Sequence, residues 1–253
     1  MKAETMSKWE ENVNFFGIFR TVAYIGDSLS SGEVVSREIA GKNRYHDYYE
    51  HSWGQYLARK FGHKAYNFSR GGMTAKEFMG GYADQNRFFD PARATQAYFI
   101  ALGVNDLLNR RDPVGEIGDV DPAQPEKNAD TFAGWYGKII TKYKSISPRA
   151  KFFLVTMPRE YDDVGDKVAL KKAHRQLMYD MSKLFEHTYV IDLWERAPLY
   201  DEEFKKRHFM NKHFTPAGYL LTAELISQLV SEVISENIDE FRDVAFIGTD
   251  LCE

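Results

Sequence analysis

Five short apolar runs limit what this chain can fold into. They lie at residues 22–25, 64–68, 97–102, 151–156 and 189–193 (VAYI, KAYNF, AYFIAL, KFFLVT and YVIDL). Each has strand length, and the stretches between them carry helical spacing. Trp53, Tyr56, Leu57 and Phe61 share one face of a segment opened by Ser52. Further helices are expected over 129–143 and 168–187, ending near Ser147-Pro148 in the first case. The last helix starts at Thr215-Pro216, with Leu220, Leu221, Leu225, Leu229, Val230 and Val233 as its core-packing stripe. Strands alternating with helices imply βαβ units and a parallel sheet covered on both faces. The expected fold is therefore α/β and flavodoxin-like, with five parallel strands in the order 2-1-3-4-5. Residues 32–50 and 110–125 read as loops, and 194–214 as irregular.

The chain has 253 residues with 43% hydrophobic and 15% aromatic content, enough for a substantial core. There is no internal repeat, low-complexity tract or linker, so a single domain over 1–253 is expected. Residues 1–20 form its lead-in, in which Trp9, Val13, Phe15, Phe16 and Phe19 can cover a sheet edge. Residues 237–253 form a tail that docks through Phe246 and Ile247. The net charge of −4 is spread along the chain, which argues against a nucleic-acid partner. The brief cluster Lys205-Lys206-Arg207 reads as a solvated helix end. Cys252 is the one cysteine, so neither an internal disulfide nor a Cys-rich metal site is available. With an acidic, discontinuous N-terminal segment and no apolar run near ~18 residues, the expectation is a cytoplasmic protein without a membrane partner.

Ligand sites of open α/β sheets lie at the carboxyl ends of the strands. The first strand runs into Gly26-Asp27-Ser28, which is either a turn with a helix cap or the seat of a nucleophile. The second strand is followed by Ser69-Arg70-Gly71-Gly72-Met73-Thr74, where paired glycines allow positive φ or close backbone approach. The third ends in Gly103-Val104-Asn105-Asp106, and His213 precedes the last helix. These places can meet at one rim. Ser28 then offers a hydroxyl nucleophile and His213 a base near neutral pH. The backbone N–H groups of Ser28 and Gly72 and the amide of Asn105 offer oxyanion donors. Asp27, Arg70, Gly71 and Asp106 complete the candidate substrate site. For Asp27 a turn-bracing role is the alternative, and for Asp106 an orienting role. Arg159 stands near another strand end. Asp192 reads as a structural hydrogen-bonding group, and the spacing of His46, His51 and His208 does not support a metal cluster. The Tyr- and His-rich stretch 45–53 either walls a sugar-sized pocket or is a partly buried loop.

These segments resemble the SGNH, or GDSL-type, esterases and lipases. Gly26–Ser30 (GDSLS) is similar to the first block of that family and residues 67–74 to its glycine block. Gly103–Asp106 matches GxND, and His213 with Pro216-Ala217-Gly218-Tyr219 matches the histidine block. The blocks keep the family's order and span most of the chain. The resemblance implies a three-layer α/β/α sandwich that hydrolyses esters, often short acyl groups on sugars or small alcohols, without a cofactor. One position departs from the pattern. The family usually carries an Asp three residues before the histidine, and here Met210 stands there. In the serine-protease template an Asp-to-Asn change at the corresponding acid lowers turnover about 10⁴-fold. The alternatives are a Ser–His dyad, or another acceptor for His213: a backbone carbonyl, or Glu195, Asp201, Glu202 or Glu203. The expected activity is hydrolysis of short-chain, chiefly acetyl, esters of carbohydrates or small metabolites. An acyltransferase using the same site, and a catalytically silent carbohydrate- or protein-binding module, are the rivals.

Overall fold

The computed structural model describes residues 13–37 and 41–251, so Trp9 and Cys252 lie outside the described residues, as does Arg37's side chain. Five parallel strands form the central sheet: β1 (Thr21–Gly26), β4 (Lys64–Asn67), β5 (Ala97–Ala101), β6 (Lys151–Val155) and β7 (Thr188–Ile191). Two further strands, β2 (Glu33–Arg37) and β3 (Asn43–Asp47), lie between β1 and β4 in sequence. The spatial order is β4-β1-β5-β6-β7, which is the expected 2-1-3-4-5 winding. Register runs Ala23 beside Tyr66 and Tyr98, then Tyr98 beside Phe152, and Phe152 beside Thr188.

The inner strands β1, β5 and β6 read as near-continuous apolar runs because both their faces are covered. Ala23, Ile25, Tyr98, Ile100, Phe152 and Leu154 pack under helices Phe132–Ile146 and Asp166–Leu184. Val22, Tyr24, Phe99, Phe153 and Val155 pack under helices Trp53–Phe61 and Pro216–Glu236. Successive side chains thus alternate between two cores, each behind its own helical layer. Helix ends follow local chemistry. Ser52 accepts from Gln55 N–H at the start of its helix, and Gly62 at φ 76° closes it. Thr215 accepts from Gly218 N–H, with Pro216 at the first helical position.

By length and composition helix Pro216–Glu236 is apolar enough to cross a membrane, but Tyr219, Ile226, Leu229 and Val230 are buried against the sheet. Leu220 and Leu221 of the expected core stripe are instead exposed, 45% and 38%. By helical spacing they lie about 100° and 200° round from buried Tyr219. In the tail Phe241, Val244 and Ile247 are buried, whereas Phe246 of the expected docking pair faces solvent. Phe16 and Phe19 of the lead-in are buried in the same layer.

Residues 32–50 are not a structureless loop. β2 and β3 form an antiparallel ribbon pairing Glu33 with Asp47 and Val35 with Tyr45. Its Val34-Val35 and Tyr45 are β-formers in a segment otherwise dominated by charge, which hides the period. The expected irregular stretch 194–214 holds helix Glu202–His208 and a two-residue hairpin, β8 (Phe209–Met210) with β9 (His213–Phe214). Lys205, Lys206 and Arg207 form the last turn of that helix.

Candidate active site

The turn after β1 is both a cap and a pedestal. Asp27 is extended, and its Oδ1 accepts from Leu29 N–H at 3.0 Å, opening the single helical turn Ser28–Ser31. Ser28 is therefore the first helical residue. Gly26 is required here, since a Cβ would lie 2.4 Å from Ser30 Oγ. Gly32, at φ 84°, closes the turn and sends the chain into β2. Tyr219 fixes this corner from the last helix. Its buried hydroxyl lies 2.7 Å from Glu33 O and 3.1 Å from Ser28 O.

Asn105 ties three segments together. Its Nδ2 donates toward Asp27 Oδ2 at 3.3 Å and Met73 O at 3.2 Å, and its Oδ1 accepts from Asn109 at 2.8 Å. The Ser28 turn, the glycine loop and the turn after β5 thereby share one side chain. Both amide protons point at protein acceptors in this state. Gly72 is exposed with φ 72°, and open space lies where a Cβ would stand. The Glu33 carboxylate lies against Gly71, so that a Cβ there would stand 2.2 Å from Oε2 and displace it.

Asp27 and Asp106 are buried to 3% and 2% exposure. Asp106 Oδ1 accepts from Ala75 N–H at 2.8 Å, anchoring the helix that follows the glycine loop, while Oδ2 finds no partner among the described residues. Burial pushes its carboxyl up to about 7, only partly offset by that N–H. Burial likewise pushes Asp27 up to about 6, against the Leu29 N–H and the His213 charge. Each carboxylate accepts from a backbone N–H, Asp27 from Leu29 and Asp106 from Ala75. Arg70 leans on the Tyr82 ring at 4.6 Å and lies 3.4 Å from Glu77. Asp192 serves Arg175, Tyr179 and Thr156 in a structural cluster.

His213 comes from the hairpin. Asn211 and Lys212 take φ 50° and 70°, the left-handed pair of a type I′ turn, and leave Met210 and His213 directly paired. The ring Nδ1 lies 3.3 Å from Asn211 O. Of the carboxylates offered as acceptors, Asp201 caps the helix before the hairpin and Glu203 pairs with Arg207. The carboxylate on the ring is one the sequence reading missed. Glu33 Oε1 lies 2.8 Å from Nε2, with the two side chains only 12% and 16% exposed. Burial pulls the imidazole down, but Glu33, the Asn211 carbonyl and Asp27 outweigh it, so the ring binds its proton more tightly than an ordinary histidine. The Tyr45 ring stands edge-on to the imidazole at 5.5 Å. Glu33 lay outside every motif, and only the β-character of 33–37 and 43–47 could have drawn attention to it.

Beside the Ser28 turn lies a small apolar cavity of about 70 Å³. Leu29, Trp53, Val104, Val155, Met157 and Phe214 line it, together with Asp27 and Ser30. Among the described residues no group of His, Cys, Asp and Glu is arranged to hold a metal ion. His46 instead bonds Ser36 Oγ at 2.8 Å across the ribbon.

No curated protein matches the chain in sequence. Among solved structures, the chain is similar to a family two carbohydrate esterase from Clostridium thermocellum in complex with cellohexaose. The TM-score is 0.60 at 16% identity, over 87% of this chain and 65% of that one. It is also similar to a carbohydrate esterase family 2 enzyme with a carbohydrate binding domain from Corynascus thermopiles (Myceliophthora fergusii), with TM-score 0.59 at 17% identity, over 93% and 69%. A protein of the G-D-S-L family from Desulfitobacterium hafniense DCB-2 gives 0.51 at 18% identity, over 83% and 99%. At these identities the likeness concerns the fold. The sequence match is to the GDSL-like lipase/acylhydrolase family and runs over residues 24–221, from β1 through the histidine hairpin into the last helix. The chain belongs to that family, and so to the carboxylic ester hydrolases.

Proposed function

We propose that the protein is a serine esterase that cleaves short-chain acyl esters, chiefly acetyl, of carbohydrates or small metabolites. The observation that carries this reading is the gathering of the nucleophile turn and the glycine loop around the Asn105 amide. The Glu33 carboxylate, between His213 and Gly71, ties the histidine hairpin to the same rim. Ser28 Oγ attacks the ester carbonyl, and its proton passes to His213 Nε2. Negative charge on the carbonyl oxygen is met by the N–H groups of Ser28 and Gly72 and by the Asn105 amide, once it releases a protein acceptor. One such donor is worth about 2.7–4 kcal/mol of barrier. The imidazolium then protonates the leaving alcohol, and water repeats the sequence on the acyl-enzyme.

With Met210 in the usual acid position, the Asn211 carbonyl is the group placed to accept the Nδ1 proton and fix the tautomer. The small cavity beside the turn suits a short acyl chain, and the exposed Tyr45 face suits a sugar ring. The two carbohydrate esterases of like fold support a sugar as the alcohol. Ser28→Ala should abolish p-nitrophenyl acetate hydrolysis while the circular dichroism spectrum stays unchanged. Turnover retained in that variant would remove Ser28 from the reaction. The Glu33 contact on Nε2 favours one second reading, a silent carbohydrate-binding protein. Failure of a fluorophosphonate probe to label Ser28, with sugar binding intact, would select it. Product analysis with added sugar acceptors separates hydrolysis from acyl transfer.

A further inference from the structure

The Glu33 carboxylate stands where ester cleavage needs open space. Oε1 is 2.8 Å from His213 Nε2, and Oε2 rests against Gly71, where even a methyl group would collide with it. The other ring nitrogen faces the Asn211 carbonyl. Both nitrogens thus face oxygen acceptors, an arrangement met only when both carry protons. An imidazolium cannot take a proton from Ser28. The groups around it reinforce this state. Asp27 adds a second negative charge from the nucleophile turn, and Tyr45 from β3 presents a neutral ring. Tyr219 from the last helix holds the Glu33 backbone carbonyl, and Ser31 Oγ holds Asp47 at 2.5 Å. The ring is the one cation in this set.

Glu33 is not placed as a transposed triad acid. An acid partner serves the ring nitrogen opposite the one that receives the serine proton, and Nδ1 already faces the Asn211 carbonyl. We propose that Glu33 is a positioning residue that gates the reaction: it clamps His213 through Nε2 at rest and yields that nitrogen when substrate enters beside Gly71. As Glu33 withdraws, the Nε2 proton leaves to water. The freed lone pair then accepts the Ser28 hydroxyl proton as Oγ bonds to the carbonyl carbon. This proposal rests on the Ser28–His213 esterase reading.

The test uses the full chain and Glu33→Gln, which keeps the size and removes the charge, with Glu33→Ala as a second variant. Histidine NMR titration, with His213 assigned by His213→Asn, should show the ring midpoint lower in both variants. The acid limb of kcat/KM for p-nitrophenyl acetate should move down equally, giving several-fold faster cleavage at pH 6. An unmoved midpoint overturns the proposal. So does a lowered midpoint with a plateau rate at pH 9 reduced tenfold or more, because Glu33 would then assist the reaction rather than withhold the base. Absence of cleavage in wild type and both variants refutes the esterase reading instead. The titration midpoint still decides whether Glu33 clamps the ring.

Discussion

Replacing Asp106 by Asn should stabilise the protein increasingly as pH rises. The carboxyl is 2% exposed, with one oxygen on Ala75 N–H and the other without a partner among the described residues. Burial, with repulsion from Asp112 and Asp27, raises its pKa from 3.8 to about 7. Between those values the folded chain holds a proton that the unfolded chain has lost, so this group's contribution to stability falls as pH rises. At about 1.4 kcal/mol per pH unit, the penalty grows by about 2–3 kcal/mol from pH 5 to pH 8. Asn keeps the oxygen that accepts from Ala75 and cannot ionise. The advantage of Asp106→Asn over wild type should therefore widen by about 2–3 kcal/mol across that range. Paired urea unfolding curves at pH 5 and pH 8 measure it, and the comparison cancels the other carboxylates. A gap that stays constant or narrows would show that the charged form is well accommodated, and would refute the burial argument.

Two further substitutions test the frame around the site. Lys171 is buried at 1% side-chain exposure, with Nζ on Pro158 O, Glu160 and Asp163 at 3.0, 2.9 and 2.8 Å. Lys171→Met strands the Asp163 charge and should cost about 3–5 kcal/mol in urea unfolding; a loss below 1 kcal/mol would show that the cluster is solvated. Lys212 holds φ 70° in the hairpin turn, a conformation that costs an L-residue about 1 kcal/mol. Lys212→Gly should recover part of that in the same assay while leaving esterase turnover unchanged, and a destabilised hairpin would mean that the lysine side chain contributes more than the strain removes.

What was legible in the sequence was local. The inner strands β1, β5 and β6 could be read because each is buried on both faces, leaving apolar runs such as AYFIAL, whereas the edge strands β4 and β7 are only partly buried. The Ser28 turn, glycine loop and Asn105 turn could be read because each is a few consecutive residues with a fixed backbone demand. Gly26 shows the demand directly, since Ser30 Oγ occupies the space of its side chain. The β2–β3 ribbon escaped notice because it lies over the rim with one side in solvent, so charged residues interrupt its period. Glu33 escaped for a stronger reason. Its partner His213 is 180 positions away, and nothing within five residues of Glu33 signals that the ribbon will fold back over the histidine hairpin.

The same hairpin explains how the chain does without an acid at position 210. In a two-residue I′ turn the flanking residues pair directly, so their side chains stand on the same face about 5 Å apart at Cβ. An Asp at 210 would thus sit beside the imidazole. Met210 instead is 40% exposed and lines a groove together with Val34, Val35 and His46 of the ribbon. The ring has no carboxylate from this position. Both electrostatic roles then fall to groups that the ribbon and turn bring with them. The turn supplies the Asn211 carbonyl at Nδ1, without charge, and the ribbon supplies Glu33 at Nε2, with charge. A neutral acceptor orients the ring without holding it protonated, whereas a charged one stabilises the imidazolium before there is a serine proton to receive. On the proposed esterase reading, placing the negative charge at Nε2 rather than Nδ1 converts a device that assists proton transfer into one that delays it.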